Sequence, residues 1–358
     1  MKNRLIGMTP DELKRVAEET GLPRFAAGQI ARWLYVRKVR RIEDMTDISK
    51  EGRKRLSERY DVGVTGYSEV QESSDGTRKY LFPVLGSYRK GLQISSCRDD
   101  ASGYEQGAIE AVMIPDRDRA TLCVSSQSGC RMGCRFCMTG RQGFHGHLQA
   151  ADIISQLVAV DESDALTNAV FMGMGEPLDN YENVMRAIDI LTAEWGFGWS
   201  PKRVTLSTIG VLPALKKYLD GSRCHIAVSM HNPFSDERLS IMPVEKAYPI
   251  KDVVELIRRY DFTGQRRVSF EYTMFSGFND TKRHADAVIR LLSGLECRVN
   301  LIRFHRIPGF PYTTSPDAIM ENFRDRLNRA GITSTIRASR GEDILAACGM
   351  LAGKHERQ

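Results

Sequence analysis

From about residue 120 onward, short apolar runs recur with helical stretches between them, and this alternation limits the fold more than any other feature of the chain. The runs lie at 121–126, 169–174, 203–207, 224–230, 267–273 and 299–304, and helical patterns follow most of them, as at 151–161, 181–195, 250–260 and 281–292. Strands joined through helices cross over the sheet, so they pair in parallel and have both faces covered. Six such units predict an α/β fold built on an open, partial (β/α)6 barrel rather than the closed eight-stranded form. A last strand at 333–338 precedes the C-terminal tail.

The chain before this core reads differently. Thr9-Pro10-Asp11-Glu12 is a helix start, with Thr as N-cap, Pro at the first position and acids in the first turn. A second helical pattern covers about 26–36, with Ile30, Trp33 and Leu34 on one face, and Ser49 begins a third. Residues 67–71 and 79–84 flank Ser73-Ser74-Asp75-Gly76-Thr77, a β-hairpin signal centred on Asp-Gly, and 107–115 is a further strand candidate. The expected division is a helical accessory domain at 1–62, a hairpin and strand extension at 63–118, the barrel core at 119–340 and a tail at 341–358.

Residues 1–60 hold 15 Lys and Arg against 9 Asp and Glu, which accounts for the whole formal charge of +6. A basic end on a neutral body suits a module that grips a polyanion, although charge alone is met as simply by a solubilising surface. No apolar run reaches the roughly 18 residues that a membrane span needs, and the first ten residues lack the apolar stretch of a signal peptide. A cytoplasmic setting is therefore expected, with the eight cysteines kept reduced and clustered ones used for metal or catalysis.

Three cysteines cluster in Ser128-Gly129-Cys130-Arg131-Met132-Gly133-Cys134-Arg135-Phe136-Cys137, a Cys-x3-Cys-x2-Cys spacing. Thiolates on one short loop suit an iron–sulfur cubane, and three of them leave one iron open for chemistry. A zinc site completed by His145 or His147 is the alternative, but the position after the first strand of the repeat favours a cofactor. Other strand ends carry polar or glycine-rich groups at the same side of the sheet. Gly173-Met174-Gly175-Glu176 would let a ligand approach the backbone and would accept from a cationic amino group, and Ser207-Thr208 and Ser229-Met230-His231 close the next two strands. A series of such ends is what a shared pocket requires.

The cysteine spacing resembles the signature of radical S-adenosylmethionine (SAM) enzymes. The resemblance implies one [4Fe–4S] cluster held by Cys130, Cys134 and Cys137, completed by the amino and carboxylate groups of SAM, whose one-electron cleavage gives a 5′-deoxyadenosyl radical. Taken with Pro23-Arg24-Phe25, Gln29-Ile30, Trp33, the stretch from Arg119 to Gln127, Met172 to Leu178, Arg203 to Thr208, Arg340-Gly341-Glu342-Asp343 and Ala346-Ala347-Cys348-Gly349, nearly the whole chain resembles the RlmN/Cfr-type radical SAM RNA methyltransferases. That resemblance implies that Cys348 is methylated by one SAM, that a second SAM activates the S-methyl group, that the carbon adds to an adenine ring carbon, that Cys123 releases the product through a transient disulfide with Cys348, and that Glu110 accepts a proton. Gly175, Glu176, Ser207, Ser229, Met230, His231 and His305 become the expected SAM-binding residues.

Without the resemblance, Cys348 and Cys123 read as packing residues and Glu110 as a surface position. Cys97, Cys224 and Cys297 are read as packing residues. The family commonly ends its Asn-Leu-Ile-Pro-Trp-Asn segment in a cofactor-contacting Asn; here the segment is Asn300-Leu301-Ile302-Arg303-Phe304-His305, and His305 stands in its place. The expected substrate is 23S ribosomal RNA at adenine carbon 2, with transfer RNA as a second substrate and the basic surface of Arg37, Lys38, Arg40, Arg41, Arg53, Lys54 and Arg55 as its contact. A flavodoxin- or ferredoxin-like electron donor and a monomer are expected. Four alternatives stay open: methylation of 23S ribosomal RNA at carbon 8 conferring antibiotic resistance, a paralogue acting on another RNA, a radical enzyme acting on a small molecule or protein, and a zinc-stabilised RNA-binding protein.

Overall fold

The computed structural model describes residues 2–84, 108–264 and 266–352. Cys97, read as a packing residue, lies outside the described residues, as do most of the segment between the hairpin and the strand at 107–115 and the end of the tail.

The chain opens with β1 (Asn3–Arg4) and α1 (Pro10–Glu19). Thr9 caps α1 in a capping box: its hydroxyl accepts from Glu12 N–H, and the Glu12 carboxylate accepts from Thr9 N–H at 2.8 Å. α2 (Ala26–Ala31) runs on into a π-helical turn at Arg32–Val36, so the second expected helix is present but loosens halfway. α3 (Lys50–Arg59), capped by Ser49, leads into β2 (Tyr60–Asp61), which pairs with β1 in parallel. These helices pack onto the barrel. Arg4 donates to Asp152 at 2.5 Å, Arg186 to Glu12 at 2.9 Å, Lys38 to the Ser163 carbonyl at 2.5 Å, and Arg40 to that of Val158 at 2.8 Å. Tyr35, close to these basic residues in the chain, is buried against Trp195. Lys38 and Tyr35 therefore serve packing between the two parts of the chain, while Arg40, though bonded, stays exposed.

β3 (Glu69–Glu72) and β4 (Arg78–Pro83) form the expected hairpin, followed by β5 (Ala108–Asp116) and β6 (Arg119–Cys123), each antiparallel to its predecessor. A short pair that the sequence did not announce comes next: β7 (Gln127–Gly129) and β8 (Phe144–His147), with α4 (Met138–Arg141) between them. The regular alternation then runs α5 (Ala150–Ala159), β9 (Asn168–Phe171), α6 (Tyr181–Thr192), β10 (Val204–Thr208), α7 (Leu212–Gly221), β11 (His225–Ser229), α8 (Ser235–Ile241), α9 (Ile250–Ile257), β12 (Val268–Met274), α10 (Lys282–Leu292), β13 (Arg298–Arg303), α11 (Asp317–Arg329) and β14 (Thr333–Ile336).

One ten-stranded sheet holds them in the order β14-β13-β12-β11-β10-β9-β6-β5-β4-β3. From β6 to β14 the seven neighbours are parallel and follow chain order, the barrel type of winding. The barrel stays open, and the antiparallel β3–β5 extend one edge. Burial explains the strand composition: Leu206, Val228, Phe270, Tyr272, Val299 and Leu301 are all fully buried. The first apolar run stops pairing as a strand at Cys123 because side chains take over, Gln156 accepting from Ser125 N–H at 2.9 Å and Ser125 Oγ from Met174 N–H at 2.8 Å.

Candidate active site

The C-terminal strand ends and the loop after β7 enclose a cleft of about 970 Å³, open mouth included. Cys130, Cys134 and Cys137 line it. The β7–β8 pair holds their loop: Cys130 N–H donates to the Gly143 carbonyl at 2.8 Å, and Gly129 sits at φ +70° with that same oxygen 1.9 Å from where a Cβ would stand. Only glycine fits there. Cys137 then stands at the N-terminal boundary of α4. Neither His145 nor His147 lines the cleft; His147 Nδ1 is 3.0 Å from Gln127 Nε2 across the pair. Burial pushes the Cys130 thiol up to about 12, and burial followed by the charges of Cys137 and Cys130 pushes Cys134 up strongly. Three half-buried thiols that repel one another as thiolates are a donor set suited to bound, positively charged irons.

The opposite wall is made by successive strand ends. Gly173, Gly175, Glu176, Ser207, Thr208, Ser229 and His231 all line the cleft. Glu176 is buried and accepts from Thr208 Oγ1 at 2.6 Å, Leu178 N–H at 3.1 Å and Ile209 N–H at 3.0 Å. Burial outweighs these bonds and lifts its carboxyl to about 7, so an approaching ammonium would both bind and ionise it. His231, at φ +55°, packs edge-on to Phe136 with centroids 4.9 Å apart. Its Nδ1 accepts from Thr273 N–H at 2.9 Å, and burial, then the Arg238 charge, lowers it to about 3. It is therefore neutral, with its proton on Nε2.

Two expected residues do not line the cleft. Met230 has its side chain fully buried, and its backbone is committed to Glu271 and Arg238. His305 points toward the chain beyond β14, with Nε2 3.1 Å from Ser339 Oγ and Nδ1 3.2 Å from a Glu342 carboxylate oxygen.

The tail brings Cys348 to the cleft, beside Arg337 and Gly349. Cys123 lies just behind. Its thiol is pushed up to about 12 by burial and then by the charge of Cys348, against the pull of Arg337. Sheet register puts Glu110 on the same face: Cys123 pairs with Val112, two residues from Glu110. Glu110 is buried, 3.5 Å from Lys79 Nζ, and accepts from Ala352 N–H at 2.7 Å, four residues past Cys348. Cys224 is buried and Cys297 half-buried, away from this site.

Three residues of the site escaped the sequence reading. Arg238 is fully buried, pairs with Glu245 and donates to the carbonyls of Ser229 at 3.0 Å and Met230 at 2.9 Å. Glu271 lies inside β12, accepting from Asn300 at 2.8 Å and 3.5 Å from Arg337. The Cys348 sulfur, then Glu271, hold the Arg337 guanidinium above its ordinary value. A charged residue within an apolar strand was a signal for Glu271, and a polar strand end was one for Arg337. Arg238, on a short helix, offered none.

Comparison with known proteins decides the family. Residues 124–288 match the radical SAM superfamily, and residues 3–62 match the ribosomal RNA large subunit methyltransferase N-terminal domain. A Porphyromonas gingivalis protein named "Probable dual-specificity RNA methyltransferase RlmN" is 53% identical over 97% of this chain and 96% of its own. This chain belongs to the RlmN family of radical SAM RNA methyltransferases. A Syntrophus aciditrophicus protein named "Dual-specificity RNA methyltransferase RlmN" is 37% identical over 97% of this chain and 95% of its own. The crystal structure of a radical SAM methyltransferase from Sphaerobacter thermophilus superposes with a TM-score of 0.88 at 35% identity, covering 98% of this chain and all of that one. RlmN membership makes this a SAM-dependent enzyme and implies a [4Fe–4S] cluster, which the cysteine trio and the polar cleft fit. Among the described residues no helix is long and apolar enough to cross a membrane.

Proposed function

We propose that this enzyme methylates carbon 2 of an adenine in 23S ribosomal RNA, and in transfer RNA, through an S-methylcysteine on Cys348. One observation carries the reading: Cys348 lines the same cleft as Cys130, Cys134 and Cys137, with Cys123 and Glu110 adjoining it. The large-subunit name of the N-terminal match supports the ribosomal substrate, and the dual specificity in the relatives' names supports a second RNA.

Cys130, Cys134 and Cys137 would hold the cluster. The bound cluster supplies the single electron that turns SAM into an acceptor of hydrogen atoms. Glu176 receives the SAM ammonium, Gly173 and Gly175 let the cofactor approach the backbone, and Ser207, Ser229 and neutral His231 offer hydrogen bonds along the wall. Met230 and His305 act through the strand end and the tail. The Cys348 sulfur, which lines the cleft beside Arg337, attacks the methyl group of a first SAM as its thiolate, and S-adenosylhomocysteine leaves. A second SAM is consumed in activating that S-methyl group for addition to the adenine carbon. Glu110 takes the proton from this carbon, the odd electron of the adduct would pass to the bound cluster, and the Cys123 thiolate attacks the Cys348 sulfur, so that the sulfur–carbon bond breaks as the disulfide closes, the freed carbon takes up a proton and the methylated base departs. Exposed Arg32 and Arg37, and Phe25 at 71% exposed, support RNA contact by the N-terminal helices. A flavodoxin- or ferredoxin-like protein donates the electrons, and the enzyme works as a cytoplasmic monomer.

The test is anaerobic incubation of reconstituted enzyme with SAM, reductant and unmodified ribosomal or transfer RNA, followed by mass spectrometry of nucleosides. 2-Methyladenosine from wild type and none from Cys348→Ala is the expected result. An 8-methyl isomer would move the reaction to the other carbon, and product from Cys348→Ala would overturn the methyl-carrier role.

A further inference from the structure

Cys348 hangs between two anchors. Downstream, Met138 N–H donates to the Gly349 carbonyl at 2.8 Å, Thr139 Oγ1 to that of Leu351 at 2.7 Å, and the Gln142 amide to that of Ala352. These bonds tie the chain beyond Cys348 to α4 of the cysteine loop. The upstream anchor is the turn between β3 and β4. Asp343 accepts from Ser73 Oγ at 2.5 Å and from Ser74 N–H at 3.0 Å, while Asp75 accepts from Gly341 N–H at 3.1 Å with the Arg340 guanidinium 4.0 Å away. Gly341 is left-handed at φ +61°, and a Cβ there would stand 2.8 Å from Ala346 Cβ and 2.9 Å from Thr77 Cγ2. Thr77 is fully buried and Ser73 is 6% exposed. A hairpin tip is ordinarily solvated; this one is the seat of the tail. Burial alone would raise the Asp75 carboxyl, but bonds from Thr77, Gly341 and Ser73 outweigh it and hold it at about 2, so the seat stays charged near neutral pH.

We propose that the β3–β4 turn is a positioning element for Cys348, with Asp75 and Asp343 as its two catches on residues 340–343. The inference rests on the methyl-carrier reading above. Fixing the chain at Asp343 rather than at Arg337 shortens the tether to Cys348 from eleven residues to five. Effective concentration falls roughly as the −3/2 power of tether length, so losing both catches would loosen the upstream tether about threefold, and losing Asp343 alone, with Gly341 still held by Asp75, about 1.7-fold before any lost orientation is counted.

The experiment uses anaerobically reconstituted holoenzyme carrying Asp343→Ala or Asp343→Asn. It reads the rate of Cys123–Cys348 disulfide formation with diamide, Cys348 methylation by intact mass with SAM, iron content, and SAM affinity. Asp343→Ala is expected to slow both cysteine reactions about two- to threefold with iron content and SAM affinity unchanged. Asp343→Asn can still meet Ser73 and Ser74 and is expected to recover most of both rates. Unchanged cysteine rates in Asp343→Ala would overturn the proposal, as would a parallel fall in iron content and SAM affinity, the mark of a merely structural role. A wild type whose Cys348 gains no methyl group overturns the carrier reading instead, and the disulfide rates still decide whether the turn holds the tail.

Discussion

Thr208 Oγ1 donates a 2.6 Å hydrogen bond to the Glu176 carboxylate, joining the ends of two neighbouring parallel strands at the floor of the cleft. The bond aligns Glu176, but burial still lifts its carboxyl from 4.5 to about 7. Between those values the folded chain keeps a proton that the unfolded chain has released. Its contribution to stability is therefore complete below about 4.5 and is lost as pH rises toward 7. The stability difference between wild type and Glu176→Gln, both without cofactor, should change by roughly 2 kcal/mol between about pH 5 and pH 8, with wild type losing on the alkaline side. Urea unfolding at the two pH values measures it. The same substitution should weaken SAM binding at least tenfold, because the ammonium loses its counter-charge; equal affinity would remove Glu176 from the cofactor site.

Arg238 makes a different demand. It is fully buried, and its partner Glu245 has one carboxylate oxygen bonded to Ile250 N–H at 3.0 Å and the other without a hydrogen-bond partner among the described residues. Arg238→Met keeps the volume but strands the Glu245 charge, which should cost about 3–5 kcal/mol. Removing both charges in Arg238→Met/Glu245→Leu should recover much of that loss, whereas additive losses in a double-mutant cycle would show that the pair does not interact. Because Arg238 also holds the Ser229 and Met230 carbonyls, the single variant should bind SAM more weakly even where it stays folded.

These residues mark where sequence reading ends. The capping box at Thr9, the Asp75-Gly76 hairpin and the parallel strands are encoded by neighbours in the chain, and all were legible. Cys130, Cys134 and Cys137 were legible through their spacing. The basic surface was legible as charge, but Lys38 and Arg40 are spent on carbonyls more than a hundred residues away. Arg238 and its clasp on two strand ends, and the β3–β4 turn as the seat of the tail, depend on contacts between distant segments that no local pattern records. The β7–β8 pair went unseen because three residues with little apolar character give no usable periodicity.

Gly175 tests how closely the cofactor wall is built. It adopts φ +99°, and a Cβ there would lie 2.5 Å from Gln127 Cβ. Gly175→Ala must strain the backbone and displace Gln127, whose Oε1 accepts from Glu176 N–H at 2.8 Å. A loss of about 2–4 kcal/mol in urea unfolding is expected, together with a larger fall in SAM affinity than in iron content. Equal falls would mean that the cysteine loop, not the cofactor wall, feels the change.

His305 separates two roles that the family pattern merges. The ring is 8% exposed and spans Ser339 and Glu342, so it braces the root of the tail and is not part of the cleft lining. Asparagine is too short to reach both partners. His305→Asn should therefore cost about 1 kcal/mol in unfolding free energy, leave SAM affinity within twofold of wild type, and slow Cys348 methylation two- to threefold. Titration calorimetry and intact-mass kinetics read the last two separately. A tenfold change in SAM affinity with no effect on the Cys348 step would mean that the ring turns to the cofactor when it binds, and that position 305 serves the cleft after all.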